Sequence, residues 1–166
     1  MTKKLNIKVY LETTVISYLA ARPASRDYLK WAKQHLTVMW WERVFHRVNP
    51  YISVFVTQEM KQGDRFAVAK RLKISQGIPV LDDVPAIENL ATAFLKKMNL
   101  PDRAKLDAFH IACASVHEMN YLLTWNCTHI ANANKARYLE VLNVKMGLSV
   151  PRLLTPNLLL LWQGES

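Results

Sequence analysis

The stretch IKVYLE, residues 7–12, decides the fold class, because it contains a short run with high strand propensity. The carboxylate of Glu12 follows this run directly. Three later runs share its short, apolar character and suit strands buried on both faces of a parallel sheet; they cover residues 51–56, 78–81 and 121–124. Longer amphipathic segments separate them, at about 26–47, 57–75, 85–98, 102–119 and 134–147. This alternation predicts a three-layer α/β/α sandwich around a central parallel sheet.

Length and composition predict one globular domain, residues 1–166. The chain has 166 residues, of which 51% are hydrophobic and 21% charged, and it shows no internal repeat or linker-like tract. These values exclude a disordered or repetitive protein. No apolar run approaches the roughly 20 residues of a membrane-spanning helix, and Cys113 and Cys127 follow no CxxC pattern. A reduced, cytoplasmic location is therefore expected.

The charge balance indicates an anionic partner. Lys and Arg number 22 against 13 Asp and Glu, which gives a formal net charge of +9. A field of that sign favours nucleic acid, although a basic, well-solvated surface accounts for the same count. The sequence lacks the GxGxxG turn and the GK[ST] loop that cradle phosphates in many nucleotide-binding enzymes. Their absence argues against a small-molecule enzyme of those kinds.

Acidic residues are scarce, and three of them fall where a parallel sheet binds ligands. Glu12 directly follows the first strand, Glu59 lies three residues past the second, and Asp107 lies in a helix apolar nearly all round, which predicts a buried charge. Ligands bind in the crevice outside the carboxyl ends of parallel strands. Three carboxylates that converge there need a cation, and oxygen ligands of this kind suit Mg²⁺ or Mn²⁺.

Each acid also has a structural interpretation. Glu12 could cap a helix or stand at the rim of the sheet, and Glu59 could be an exposed acid in the first turn of a helix. Asp107 could form a salt bridge, for which the candidate partners are Arg103, Lys105 and His110. These alternatives stay open for each residue, while the three acids together favour a metal site.

Five motifs occur in an order that resembles a known family. They are VYLETT at 9–14, EMKQGD at 59–64, LDAFHIA at 106–112, LLTWNCTH at 122–129 and LTP at 154–156. The ordered set is similar to the PIN domain, in particular to the VapC-like toxins of type II toxin–antitoxin systems, and it runs along nearly the whole chain. The last motif resembles the final strand and helix of that family.

The resemblance implies a PIN-like endoribonuclease that depends on Mg²⁺ or Mn²⁺ and cleaves RNA phosphodiesters with a metal-bound water. It also implies a cognate antitoxin and a homodimer. Glu12 matches the first acid of the family, Glu59 the second and Asp107 the third, and Asn126 stands at the position of the fourth. The implied catalytic residues are therefore Glu12, Glu59, Asp107 and Asn126, and the three acids are the implied metal ligands.

Two of these positions depart from the family pattern. Glu12 is one methylene longer than the usual Asp, and Asn126 keeps a ligating oxygen but lacks the charge of the fourth acid. Three formal negative charges suffice for one divalent ion, so we expect one tightly held metal. The alternative function is a PIN-like RNA-binding protein that is catalytically weak or inactive.

Neutral polar residues beside the acids are candidates for orienting ligands or water, with ordinary turn and cap chemistry as the alternative. These candidate orienting residues are Thr13, Thr14, Thr124 and His129. His110 follows Asp107 by one helical turn and is interpreted as a packing or hydrogen-bonding partner. Asp64 is interpreted as a helix N-cap.

The segment 22–47 interleaves basic residues with tyrosine and tryptophan. Such a mixture can stack RNA bases and neutralise phosphates. The structural interpretation is an amphipathic helix, in which the residues that face the core or a partner are Leu29, Ala32, Leu36 and Trp40. A dimer interface or an antitoxin-binding groove is a further use, and the sequence does not rank these readings.

Overall fold

The computed structural model describes residues 5–97, 104–128, 130–131 and 133–161. The strands are β1 (Lys8–Leu11), β2 (Asn49–Ser53), β3 (Val80–Leu81), β4 (Tyr121–Leu123) and β5 (Arg152–Leu154). The helices are α1 (Thr13–Ala20), α2 (Tyr28–Arg43), α3 (Val54–Met60), α4 (Arg65–Ser75), α5 (Pro85–Lys97), α6 (Lys105–Val116), α7 (Ala133–Lys145) and α8 (Pro156–Leu160), with a 3₁₀ turn at Phe45–Arg47.

The five strands form one sheet in the order β3-β2-β1-β4-β5, and every neighbouring pair is parallel. Tyr10 of the central strand β1 lies between Tyr51 of β2 and Leu122 of β4. Val9, Tyr10 and Leu11 have no exposed surface, as expected for a strand covered on both faces. The predicted α/β/α sandwich with a central parallel sheet is therefore confirmed.

Helices from distant parts of the chain cover the sheet and pack on one another. α1 packs against α2 and α4, α5 packs against α6 and α7, and α2 also packs against α8. The largest fully buried side chains come from strands and helices alike, among them Ile16, Trp40, Phe94 and Leu122. One apolar core thus encloses β1 and β4, and this packing fixes where the residues that follow these strands lie.

The second strand is shorter than predicted. It ends at Ser53, not at residue 56, because α3 begins at Val54. The Ser53 side chain accepts a hydrogen bond from the Val56 backbone N–H at 3.3 Å and so caps that helix. As a result Glu59 lies in the last turn of α3, and its reading as an exposed first-turn acid is wrong.

The single helix predicted at 57–75 is two helices. A turn separates α3 from α4, and Gly63 adopts a φ of +92° there, a value that residues other than glycine rarely adopt. Asp64 accepts hydrogen bonds from the backbone N–H groups of Phe66 and Ala67, each at 3.1 Å. The prediction that Asp64 is a helix N-cap is confirmed.

Hydrophobic periodicity missed two helices and one strand. The threonines that open α1 suggested a turn, although Thr13 is the first residue of that helix. β5 and α8 are too short to give a periodic signal, and only the resemblance of residues 154–156 pointed to them. Among the described residues, no helix is long and apolar enough to cross a membrane. Cys113 and Cys127 are both free thiols.

Candidate metal centre at the strand ends

Glu12 lies in the cleft between the ends of two adjacent strands. It follows β1 directly, and its backbone N–H donates to the Leu123 carbonyl of β4 at 3.0 Å. The side chain receives hydroxyl hydrogen bonds from Thr14 and, at 2.7 Å, from Thr124. Glu12 occupies the N-cap position of α1, but its carboxylate makes no cap hydrogen bond, and the residue is 4% exposed. Neither the capping role nor the rim position therefore describes it.

Glu59 reaches the same cleft from the last turn of α3. Its Oε2 atom accepts hydrogen bonds from the Thr13 hydroxyl and from His110 Nε2, the latter at 2.8 Å. About a quarter of the side chain is exposed, 24%, so this carboxylate is the solvent-facing member of the pair. The cleft is thus open on the side of Glu59 and closed on the side of Glu12.

His110 lies beneath the two glutamates, on α6, and is 1% exposed. Its Nδ1 atom lies 2.7 Å from the Tyr10 hydroxyl, which in turn lies 2.7 Å from the Ser53 hydroxyl. Both ring nitrogens therefore have partners, and the imidazole is held between α3 and the centre of the sheet. The interpretation of His110 as a hydrogen-bonding partner is correct in this respect.

Glu12, Glu59 and His110 each offer one ligand atom within 4.8 Å of the other two. Among the described residues this is the group of acidic, histidine and cysteine side chains whose spacing fits a metal ion. His110 was not among the metal ligands predicted from sequence. The available signal was its position one helical turn after Asp107, which places both side chains on the same face of α6.

Asp107 lies beside this trio and is not a member of it. Its Oδ1 atom accepts a hydrogen bond of 2.8 Å from the Asn126 side-chain amide. Asp107 is in the first turn of α6 and is half-buried, so the prediction of a buried charge holds only in part. The physical reason is that Lys105 and Leu106 at the helix start are exposed, and burial sets in only from Ala108 onwards. Arg103, one of its proposed salt-bridge partners, lies outside the described residues.

The three threonines predicted to orient ligands or water all form hydrogen bonds within the cleft. Thr13 donates to Glu59, and Thr14 donates to Glu12 while accepting from the Trp125 backbone N–H at 2.9 Å. Thr124 donates to Glu12 and accepts from the Asn126 backbone N–H at 2.9 Å. These hydroxyls fix the directions of both carboxylates. His129, the fourth predicted member, lies outside the described residues.

The two glutamates differ in acidity although they share one cleft. Burial raises the pKa of Glu12 above its ordinary value, and Glu59 adds to this, against the opposing charge of His110 and the hydroxyls of Thr14 and Thr124. Burial also acts to raise the pKa of Glu59, but the hydrogen bond and charge of His110, together with the Thr13 hydroxyl, outweigh burial and lower it. Glu59 is thus the readily ionised carboxylate, and a cation would favour ionisation of Glu12 as well.

Comparison with known proteins gives matches of structure and none of sequence. No protein-family model matches the chain, and no curated protein matches it. A chain of VapBC2 from Rickettsia felis, solved bound to a DNA fragment from its promoter, has 13% identity and a TM-score of 0.58, over 90% of this chain and 98% of that one. VapC20 of Mycobacterium tuberculosis, a toxin that cleaves the sarcin–ricin loop, has 16% identity and a TM-score of 0.51, over 69% of this chain and 86% of that one. At these identities the likeness is one of architecture, and the chain has the PIN-like α/β/α fold of the VapC toxins.

Proposed function

We propose that the protein is a metal-dependent endoribonuclease that acts in the cytoplasm as the toxin of a type II toxin–antitoxin pair, with residues 1–166 as a single PIN-like domain. The observation that carries the proposal is the convergence of Glu12, Glu59 and His110 within 4.8 Å at the strand ends. In open α/β sheets this edge is where ligands bind. A PIN-like fold with ionisable side chains at that edge fits a nuclease better than a purely structural protein.

The donor atoms in the cleft fit a divalent cation. In the described part of the chain, no Lys or Arg forms an ion pair with Glu12 or Glu59, and His110 is the charge partner of Glu59. The proposed oxygen ligands are Glu12, Glu59 and Asp107, with Asn126 holding Asp107 in place through its amide. When bound, Mg²⁺ or Mn²⁺ would neutralise the charge that develops on a phosphoryl oxygen during cleavage.

The protein's own residues prepare this site before substrate arrives. Thr14 and Thr124 fix Glu12, and Thr13 and His110 fix Glu59. Because the carboxylates are already oriented, little reorganisation is needed when charge develops in the reaction. The more exposed Glu59 faces the side from which a phosphodiester can enter.

The proposed partners follow from charge and from the structural neighbours. The formal net charge of +9 favours RNA as substrate, since phosphate contacts dominate such binding. VapBC2 and VapC20 have the same fold, which supports a cognate antitoxin for this chain and, as a further proposal, a homodimer. The alternative function, RNA binding without cleavage, is supported by the neutral amide at Asn126, where the PIN pattern expects a fourth acid.

Cleavage assays on labelled RNA test the proposal. Wild type should cut with Mg²⁺ or Mn²⁺ and stop in excess chelator. Glu59→Gln should still bind RNA but lose on the order of 100-fold or more in cleavage, because a ligand is removed and the basic surface is kept. Glu88→Gln, an exposed carboxylate of α5, is the matched control and should cut like wild type.

Two results would contradict the proposal. Cleavage that continues in excess chelator would exclude a metal-dependent reaction. Wild type that binds RNA in the presence of Mn²⁺ and cuts none of the RNAs tried would favour the non-catalytic alternative.

A further inference from the structure

We infer that His110 is a nitrogen ligand of the cation held by Glu12 and Glu59, which makes this a mixed carboxylate–imidazole centre. The inference rests on the proposed function and goes beyond its oxygen ligands. Imidazole favours transition metals, whereas Mg²⁺ prefers oxygen donors and water. The centre should therefore take Mn²⁺ in preference to Mg²⁺.

Position is the first support. His110 Nε2 lies 2.8 Å from Glu59 Oε2 and belongs to the trio whose ligand atoms lie within 4.8 Å of one another. The ring is 1% exposed, so its Nε2 atom meets the carboxylates and not bulk solvent. A buried imidazole that points its nitrogen at two carboxylates has the arrangement of a ligand set, with a proton now bridging Nε2 and Glu59.

The hydrogen bonds behind the ring are the second support. A ligating histidine usually donates its other ring N–H to a fixed acceptor, which sets the tautomer and the ring orientation. Here Nδ1 lies 2.7 Å from the hydroxyl of Tyr10, a residue with no exposed surface on the central strand. With Nε2 as the ligand, Nδ1–H donates to Tyr10 Oη.

The hydroxyl chain can adopt the polarity that this tautomer requires. Tyr10 and Ser53 lie 2.7 Å apart, and either hydroxyl can be the donor. When Nδ1–H donates to Tyr10, the Tyr10 hydroxyl donates in turn to Ser53 Oγ. Ser53 Oγ already accepts from the Val56 N–H at 3.3 Å and has a second lone pair for Tyr10. Ligation therefore leaves both His110 Nδ1 and the Tyr10 hydroxyl with a hydrogen-bond partner.

The competing interpretation gives His110 a positioning role only. In that case Nε2 keeps its proton, donates to Glu59 and never contacts the cation. Both interpretations predict that replacing His110 lowers activity. They differ first in the magnetic coupling between a histidine nitrogen and a bound paramagnetic ion.

Pulsed electron paramagnetic resonance with Mn²⁺ alone as the probe separates the two. Electron spin echo modulation from the Mn²⁺-loaded wild type should show a directly coordinated ¹⁴N, and protein labelled with [¹⁵N]histidine should replace that signal by one from ¹⁵N. His110→Gln, whose amide can still donate to Glu59, should lose the signal. His35→Gln, which replaces an exposed histidine of α2, is the matched control and should keep it.

Affinities measured by competition between the two ions provide a second readout. His110→Gln should weaken Mn²⁺ binding about 10–100-fold and Mg²⁺ binding much less, since only the nitrogen donor is lost. Tyr10→Phe keeps the imidazole and should keep the nitrogen coupling, while its Mn²⁺ affinity falls at least several-fold because the ring loses its acceptor.

The outcomes are distinguishable from failure of the proposed function. Mn²⁺ that binds near Glu12 and Glu59 without histidine nitrogen coupling in the wild type would overturn this inference and leave the nuclease proposal standing. Wild type that binds no Mn²⁺ in titration would overturn both. The isotope comparison uses the unmodified wild-type sequence, so the absence of histidine coupling there overturns the inference even if the His110→Gln protein does not fold.

Discussion

Two regions stand out in the sequence, the acids that follow the strands and the basic, aromatic segment 22–47, and the structure treats them in opposite ways. At the strand ends, Glu12 is 4% exposed and Glu59, His110 and Thr124 are tied to neighbouring side chains by hydrogen bonds. On the first half of α2, Tyr28 is 86% exposed and Trp31 is 51% exposed. At the strand ends, hydrogen bonds within the chain fix the directions of the side chains. On the first half of α2, the aromatic side chains face solvent and are available to a binding partner.

The buried face of α2 differs in part from the predicted one. Of the four residues expected to face the core or a partner, Trp40 is fully buried, Ala32 and Leu36 are half-buried, and Leu29 is 68% exposed. Gln34 and Thr37 take the buried positions, because each has a specific polar partner. Gln34 hydrogen-bonds the backbone of Arg22 and Ala24, and Thr37 accepts from Trp125 Nε1 at 2.8 Å.

The largest expected difference between buried and exposed regions concerns the two thiols. Burial raises the pKa of Cys113, whose side chain interacts with Ser53 beneath the site, to about 12, whereas Cys127 is exposed. At pH 8 an ordinary thiol is roughly one quarter thiolate, and one with a pKa near 12 is about one part in 10⁴. Native Cys113 should therefore react with a disulfide reagent about 1000-fold more slowly than an ordinary, unburied thiol.

Thiol titration of Cys127→Ser is the control for that difference. Native Cys127→Ser protein should show almost no labelling, and full labelling should return in denaturant. Rapid labelling of native Cys127→Ser would mean that the reagent reaches Cys113 beneath Ser53. The contrast between the enclosed strand-end site and the exposed surface of α2 would then fail.

The fold was predictable because its signal is carried by burial. Strands such as β1 are covered on both faces and so read as apolar runs, and the alternation with helices then limits the topology to a parallel sheet. Helix boundaries were less predictable where one hydrogen bond decides them. Ser53 ends β2 and caps α3 within a run that is otherwise apolar.

The candidate site was predictable in part for the same physical reason. Glu12 follows a strand, so its position at the sheet edge is set by chain order alone, and Glu59 reaches it through one short helix. His110 and Asp107 lie one helical turn apart on α6, and sequence alone does not say how far each side chain reaches into the cleft. The tilt of α6 decides that, and it depends on packing against the rest of the core.

The next largest effect is metal-dependent stability, which should separate the two regions directly. Mn²⁺ at 100 times its dissociation constant stabilises a folded protein by about 2.7 kcal/mol, or about 5–10 °C in Tm for a domain of this size. Glu12→Gln should abolish most of this shift, and Trp31→Ala on α2 should leave it unchanged. Thermal denaturation with and without Mn²⁺ measures both.

Asp107→Asn in the same experiment tests the third proposed ligand. Loss of most of the Mn²⁺-induced shift would support direct ligation by Asp107. A shift equal to that of wild type would remove Asp107 from the ligand set and leave Glu12, Glu59 and His110 as the centre.

Asn126→Asp should have a smaller effect. It should destabilise the metal-free protein and strengthen Mn²⁺ binding. The Asn126 amide donates to Asp107 at 2.8 Å, so a carboxylate there replaces a hydrogen bond with like-charge repulsion and should lower the Tm of the metal-free protein. The added charge should raise Mn²⁺ affinity about tenfold. Calorimetric titration measures the affinity, and Asn89→Asp on the exposed face of α5 controls for net charge. Unchanged or weaker Mn²⁺ binding in Asn126→Asp would place residue 126 outside the metal centre.

The smallest effect should come from the exposed half of α2, where single side chains act independently. The Trp31 ring stacks on His35, with centroids 5.3 Å apart and planes within 4°, and this exposed pair presents a flat aromatic surface. If the proposed RNA substrate binds here, a base can stack on that surface. Stacking of a base on an aromatic side chain contributes about 1–3 kcal/mol. At an open surface the lower end of that range applies, so Trp31→Ala should weaken single-stranded RNA binding about fivefold without changing its dependence on salt.

Lys30→Ala should instead reduce the salt dependence of RNA binding by about 0.7 in logarithmic slope, because one phosphate contact is lost. Val38→Ala, which shortens another exposed apolar residue of α2, is the control for both. Unchanged RNA affinity in Trp31→Ala, together with loss of dimer in sedimentation, would assign this face to a protein interface, and the contrast with the strand-end site would then be one between substrate and partner.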